Sequence, residues 1–160
     1  MIYNGLKQKI ELKLNSYDNL LIANLNKLTD LNYNPNIKIL NFEIFIEPTR
    51  FEINVRMFSM SKDGNEIFNN DKDKYFAGSI DIVEDVYYLN DFESPEERNI
   101  YEENYELIEK DIIGWFINCW KQSDCIKIGL PMFVNIHDNY NLYDVNENKW
   151  TSFDLVYEDE

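Results

Sequence analysis

The sequence is poor in the residues on which disulfide frameworks, metal centres and phosphate-binding loops depend. Its 160 residues include 2 cysteines, 1 histidine, 5 glycines and 4 prolines. Two cysteines are too few for a disulfide scaffold, which predicts a reduced, cytosolic chain. The glycines are scattered singly, so there is no glycine-rich loop that could cradle a phosphate or a dinucleotide. No apolar run approaches the roughly 20 residues that span a bilayer.

Basic residues are also scarce, since 15 Lys and Arg stand against 30 Asp and Glu, for a formal net charge of −15. DNA, RNA and anionic membranes each require a basic surface, so we expect neither nucleic acid nor membrane as a direct partner. Hydrophobic residues nonetheless make up 44% of the chain and aromatic residues 15%. This apolar content separates the chain from acidic disordered tails and predicts a single folded domain over residues 1–160.

The excess negative charge is confined to the second half of the sequence. Residues 1–80 are formally neutral, with ten acidic and ten basic side chains. Residues 81–111 carry twelve acidic residues against two basic ones, and residues 112–160 add a net charge of −5. This asymmetry indicates a partner-facing surface within 81–111, although an acidic face kept only for solubility would have the same composition.

Hydrophobic periodicity predicts helices at the N-terminus and strands after them. From Leu6 to Leu31 apolar residues recur every three or four positions, as in an amphipathic helix, with a break near 15–18. Period-two alternation then predicts strands, at 37–46, 51–57, 66–68, 75–89 and 132–137. We therefore expect one α+β domain, in which an antiparallel sheet of about four to six strands packs against helices.

The strongest local signal is a helix start at Ser94. Ser94 can cap the helix, Pro95 suits its first position and Glu97 its third, a combination known as a capping box. A wide apolar stripe follows, and it predicts one long helix near 95–121 that packs on the core.

The same predicted helix carries an acidic ridge, formed by Glu102, Glu106 and Glu109 at positions i, i+4 and i+7. Like charges at this spacing slightly destabilise a helix, and a binding role would explain that cost. Tyrosines interleave with carboxylates around the ridge, as on surfaces that bind basic proteins, although core packing is the commoner role of such rings. The predicted partner-binding residues are Asp85, Tyr87, Asp91, Tyr101, Glu102, Glu106 and Glu109.

A small enzyme or metal site around the single histidine is the alternative. His137 adjoins Asp138 at the end of a predicted strand, and Cys119 and Cys125 lie upstream. Structural zinc sites pair cysteines two to four residues apart, whereas five residues separate these two. Cys125 could act as a nucleophile with His137 as its base, but no known nucleophile motif surrounds it. Residues 71–73 resemble the start of a calcium loop without its glycine and are interpreted as a solvated turn.

In size, acidity and lack of a catalytic signature, the whole chain resembles bacterial immunity proteins of the polymorphic-toxin type. Those proteins neutralise toxin domains, often nucleases with cationic substrate grooves. The resemblance implies an acidic cytosolic protein that inhibits a basic protein partner and has no catalytic residues, metal or cofactor of its own. A nucleic-acid mimic of the anti-restriction kind, whose carboxylates imitate phosphate spacing, is the other inhibitor that this charge pattern fits.

Overall fold

A computed structural model describes residues 2–68 and 74–157 of the chain, so the calcium-like segment at 71–73 lies outside the described residues. The helices are α1 (Ile2–Asn15), α2 (Asp18–Lys27), α3 (Pro95–Glu103), α4 (Tyr105–Gln122) and the short α5 (Phe153–Val156). The strands are β1 (Ile39–Glu47), β2 (Glu52–Met60), β3 (Ser79–Tyr87), β4 (Met132–Ile136), β5 (Asn141–Asp144) and β6 (Lys149–Ser152). None of the helices in these ranges combines the length and apolar character that a membrane crossing requires.

The strands form one six-stranded sheet in the order β3-β2-β1-β4-β5-β6. Paired strands are antiparallel except for β1 and β4, which run parallel with Ile44 opposite Ile136. The parallel pair arises because the chain leaves β3 at one edge, forms α3 and α4, and returns beside β1 as β4. The α+β class is confirmed, but the sheet is mixed rather than antiparallel throughout.

The main core lies between one face of this sheet and the helices. Strand side chains such as Phe42 and Ile53 are fully buried there, and the Phe42 ring lies 5.1 Å from the ring of Phe116 in α4. A second, smaller cluster on the opposite face packs Ile39 and Phe133 against the C-terminal Tyr157. We call this opposite face the outer face. The alternation of apolar and polar residues along β1 and β2 is what separates the two faces.

The segment predicted as one long helix consists of two consecutive helices, α3 and α4, which meet at Asn104. Ser94 caps α3 as predicted, because its Oγ accepts a hydrogen bond from the backbone N–H of Glu97 at 3.1 Å. Asn104 has φ −116° and ψ 20°, and its side-chain Nδ2 donates to the carbonyl of Ile100 at 2.7 Å. An asparagine amide that bonds back to the main chain competes with regular helix geometry, which accounts for the break.

The strand predicted at 66–68 does not form. Glu66 makes only an isolated antiparallel bridge with Met60, at the end of β2. The strand predicted at 75–89 is shorter than expected, because regular pairing begins at Ser79, after Gly78 with its φ of 94°. The interruption predicted near 15–18 is confirmed by the gap between α1 and α2.

Candidate acidic interface

Carboxylates from three strands meet where the β1–β2 hairpin adjoins the end of β3. Glu47 ends β1 and Glu52 begins β2, and the antiparallel register places them opposite each other. Glu52 is only 6% exposed, and its Oε2 lies 3.1 Å from Nη2 of Arg50. A hydrogen bond with Asp85 raises the pKa of Glu52, and burial adds to the rise. Two carboxyl groups are thus held against each other with one arginine beside them.

Asp85 reaches Glu52 because β3 is irregular at this point. The register between β2 and β3 shifts between Ile53 and Arg56, and Asp85 has a φ of 55°. Its backbone N–H donates to Oδ1 of Asn54 at 2.9 Å, which supports the bulge from the neighbouring strand. Aspartate is one of the few residues besides glycine that adopt this conformation readily. Such bulges re-aim side chains and are frequent next to functional sites.

A second carboxyl pair lies on β3, on the N-terminal side of Asp85. Glu84 shares a hydrogen bond with Asp81, and this contact raises the pKa of Glu84. The nearby cation is Arg56 of β2, whose Nε lies 3.4 Å from Oδ1 of Asp81. An open cavity of about 490 Å³ is lined by Phe45, Asn54, Arg56, Asp81, Glu84 and Asp85. Asp85 of the first pair and both carboxylates of the second pair therefore line one cavity.

Glu106 and Glu109 extend the acidic surface onto α4. Burial raises the pKa of Glu109, and the charge of Glu106, three residues earlier, raises it further. Among residues 2–68 and 74–157, neither glutamate has an ion-pair or hydrogen-bond partner. The charges of both therefore remain available to a positively charged group from outside.

Tyr105, at the start of α4, connects the helix carboxylates with those of the hairpin. Burial raises the pKa of Tyr105 to about 12, and the negative charges of Glu109 and Glu47 contribute to the rise. Both glutamates therefore act on the same phenol. We use the name acidic end for the carboxylates of the β1–β2 hairpin, the β3 bulge and the first turns of α4, namely Glu47, Glu52, Asp85, Glu106 and Glu109.

The structure brings some of the predicted partner-binding residues to this acidic end. Asp85, Glu106 and Glu109 belong to it. Tyr87 adjoins it, because the β2–β3 register places Tyr87 opposite Glu52, and its side chain is 37% exposed. An exposed ring beside carboxylates has the character expected of an interface anchor.

Tyr101, predicted as a surface anchor, lies in the core instead. It is 5% exposed, and its hydroxyl is 2.6 Å from the hydroxyl of Tyr88. Its ring packs edge-on against Phe51 and Phe92. The prediction was wrong because Tyr101 belongs to the apolar stripe of α3, which faces the sheet.

Glu102 and Asp91 lie outside the acidic end. Glu102 is on α3, so the break at Asn104 separates it from the glutamates of α4, and its Oε1 accepts a hydrogen bond from Nε of Arg98 at 3.1 Å. Asp91 lies in the loop before α3 and lines a different cavity together with Lys9 and Lys13. The ridge predicted from helical spacing is therefore interrupted after Glu102.

The lysines of α1 neutralise part of the dense acidic stretch at 81–111. Lys9 Nζ lies 2.6 Å from Glu97 and 2.8 Å from Glu93, and Lys7 Nζ lies 3.6 Å from Asp111. The first half of the sequence thus supplies cations to the second half. Charge asymmetry along the chain is not the same as charge asymmetry on the folded surface.

Two residues of the acidic end, Glu47 and Glu52, were not predicted from the sequence. Both belong to the formally neutral first half of the chain. The turn residues between Glu47 and Glu52 predict a hairpin, and that hairpin was the one signal that could have paired the two glutamates.

The residues of the alternative enzyme or metal site are not brought together. Cys119 and Cys125 are buried in the core on the helix side, where burial raises the pKa of their thiols to about 12 and about 11. Cys125 is therefore not the accessible nucleophile that its loop position predicted. His137 and Asp138 follow β4, and His137 Nδ1 lies 3.1 Å from Oε2 of Glu43 on the outer face. In the described part of the chain, no group of three such residues is arranged to hold a metal ion.

Comparisons with protein-family models, with curated proteins and with solved structures found no match to this chain. The acidic end is therefore interpreted from its own chemistry. Closely spaced carboxylates with few cations among them attract positively charged groups, and exposed rings beside them offer apolar contact area. Such a surface is suited to binding a basic protein.

Proposed function

We propose that this chain is an acidic, cytosolic binding protein that inhibits a basic protein partner, as immunity proteins neutralise toxins such as nucleases. The observation that carries the proposal is the acidic end, where carboxylates face one another more than they face cations. A hydrogen bond with Asp85 raises the pKa of Glu52, and burial, followed by the charge of Glu106, raises the pKa of Glu109. The charged forms of these carboxylates therefore disfavour the folded chain, through burial and through repulsion between neighbouring carboxylates. A docked basic surface would relieve the repulsion, and that relief would strengthen binding.

To inhibit such a partner, the chain needs only to cover the basic side chains with which the partner binds its substrate. A nuclease holds the phosphates of its substrate with lysines and arginines. Carboxylates at Asp85, Glu106 and Glu109 would engage those cations, and Tyr87 would add apolar contact at the rim. In this mechanism the chain contributes no catalytic residue, metal or cofactor.

Affinity capture from the native host tests the proposal. Wild-type protein and the variant D85N/E106Q/E109Q serve as parallel baits, at low and at high salt. Asparagine is chosen at position 85 because it tolerates the φ of 55° found there. We expect a basic protein that the wild type retains at low salt and the variant retains poorly. Its enzymatic or toxic activity should disappear when one equivalent of wild-type chain is added.

Two results would contradict the proposal. One is a captured protein that stays fully active when saturated with the wild-type chain. The other is a partner that the variant retains as well as the wild type does, because its binding would then not depend on the acidic end. Capture of a restriction-type enzyme in place of a toxin would assign the chain to the nucleic-acid mimics.

A further inference from the structure

A groove beside the acidic end separates α4 from the last strands of the sheet. Its volume is about 520 Å³, and its helix side is formed by Glu106, Glu109, Lys110 and Ile113. These positions are three, four and seven residues apart, so they share one face of α4. Ile113 and Ile136, which are 5% and 8% exposed, provide apolar surface inside the groove.

Trp150 forms part of the opposite wall of the groove. It belongs to β6, the edge strand of the sheet, and it is 49% exposed. Its ring is supported by Tyr143, which packs edge-on at a centroid distance of 5.3 Å and an interplanar angle of 80°. A large aromatic ring that is held in place yet half exposed is well suited to stack on a ligand group.

The charged side chains of the groove and its indole N–H are unpaired within the described residues. Neither the carboxylates of Glu106 and Glu109 nor the indole N–H of Trp150 has a hydrogen-bond or ion-pair partner within residues 2–68 and 74–157. Lys110 lines the same groove and also has no such partner there. The groove therefore presents two carboxylates beside an aromatic ring, with one resident cation that neutralises neither carboxylate directly.

We propose that this groove receives an arginine side chain of a basic protein partner, stacked on Trp150 and hydrogen-bonded to Glu106 and Glu109. This inference rests on the proposed function and names the group by which the partner is recognised. A guanidinium is planar, so one face can cover the indole while the N–H groups at its edge reach carboxylates. Tryptophan is the strongest of the aromatic side chains in cation–π contacts.

Arginine fits this groove better than lysine does. A lysine ammonium is a compact, strongly hydrated charge that neither stacks nor bonds two carboxylates in a fixed plane. Lys110 already supplies an ammonium to the groove, and it leaves both glutamates unpaired. Because Lys110 has the same sign as the incoming arginine, its removal should strengthen binding, whereas loss of either glutamate should weaken it.

Nuclear magnetic resonance of the indole N–H groups provides a direct test. The chain has three tryptophans, and Trp115 and Trp120 are 6% and 4% exposed, so they serve as internal controls. The probe is a short capped glycine peptide with one central arginine, and matched peptides carry lysine or the neutral isostere citrulline. Trp150→Phe assigns the Trp150 signal by removing it. The signal of Trp150 should shift saturably with the arginine peptide, less with lysine and not with citrulline.

Charge variants of the groove sharpen this test. E106Q/E109Q should weaken binding of the arginine peptide by about fivefold or more, and Lys110→Gln should strengthen it by about twofold. Glu102→Gln removes a charge on α3, outside the groove, and should leave the affinity unchanged. The urea unfolding midpoint of each variant establishes that it is folded.

The inference is overturned if Trp150 does not respond to the arginine peptide, if citrulline shifts it equally, or if E106Q/E109Q binds as the wild type does. If a basic partner is captured but the indole signal of Trp150 does not shift, arginine binding in the groove is refuted and the proposed function stands. An arginine-dependent shift of Trp150 without any inhibited basic partner would support the groove and refute the proposed function.

Discussion

At the residue scale, the hydroxyls of Tyr88 and Tyr101 form a buried hydrogen bond of 2.6 Å. The two residues are 0% and 5% exposed, and burial is the main cause that raises the pKa of each. Both phenols therefore stay neutral at physiological pH, and one hydroxyl donates the hydrogen bond that the other accepts. The pair joins the chain just after β3 to α3, beneath the acidic end. This explains why Tyr101 packs inward although carboxylates surround it in the sequence.

Replacing one of the two phenols should destabilise the fold. Tyr101→Phe leaves the Tyr88 hydroxyl buried without a partner, which costs about 1–3 kcal/mol. The double variant Y88F/Y101F removes both hydroxyls and should lose less than the two single changes together. Tyr105→Phe is the control, because the Tyr105 hydroxyl has no hydrogen-bond partner among the described residues. Urea unfolding measures each of these proteins, and additive losses would contradict a shared hydrogen bond.

At the scale of helices and strands, features that depend on neighbouring residues in the sequence could be predicted better than features that depend on contacts between distant segments. The Ser94 cap and the alternation along β1 and β2 depend on neighbours in sequence, and the structure confirms both. The reciprocal bond of the capping box differs, because the Glu97 side chain accepts from the N–H of Glu93 and not from that of Ser94. The break at Asn104 depends on a single side-chain hydrogen bond, which no periodicity reveals. The parallel pairing of β1 with β4 and the approach of Trp150 to α4 depend on how distant segments pack. The carboxylates of α4 could thus be predicted, but the groove that they line could not.

The carboxyl pair on β3 predicts a pH-dependent change in stability. The hydrogen bond with Asp81 raises the folded-state pKa of Glu84 above its unfolded value. A raised carboxyl pKa contributes stability at low pH, and this contribution is lost as pH rises through the folded-state pKa. Glu84→Gln removes the charge repulsion between the carboxylates of Glu84 and Asp81. The variant should therefore be more stable than the wild type at pH 7.

The advantage of Glu84→Gln should vanish below about pH 4, where the wild-type carboxyl group is protonated in both states. Urea unfolding at neutral and at acidic pH measures the difference between the two proteins. Glu147→Gln, in the turn between β5 and β6, is the control for loss of one negative charge. A stability difference for Glu84→Gln that stays constant with pH would contradict the carboxyl pair.

At the scale of the whole molecule, the net charge of −15 is distributed unevenly over the surface. Lys9 pairs with Glu93 and Glu97, so its positive charge offsets one of their two negative charges. Glu106 and Glu109 have no such partner in the described part of the chain. The long-range field that a basic protein meets should therefore arise more from the acidic end than from α3, although both carry glutamates.

Association kinetics with the captured basic partner can distinguish these two sources of charge. The association rate constant should fall by about tenfold or more from low to high salt, as in electrostatically steered encounters. E106Q/E109Q should bind more slowly at low salt and show a shallower salt dependence. E93Q/E97Q changes the net charge equally but does so at a cluster that Lys9 partly neutralises, away from the acidic end. Equal slowing by both variants would show that only net charge matters, and the acidic end would then lose its role as the docking surface.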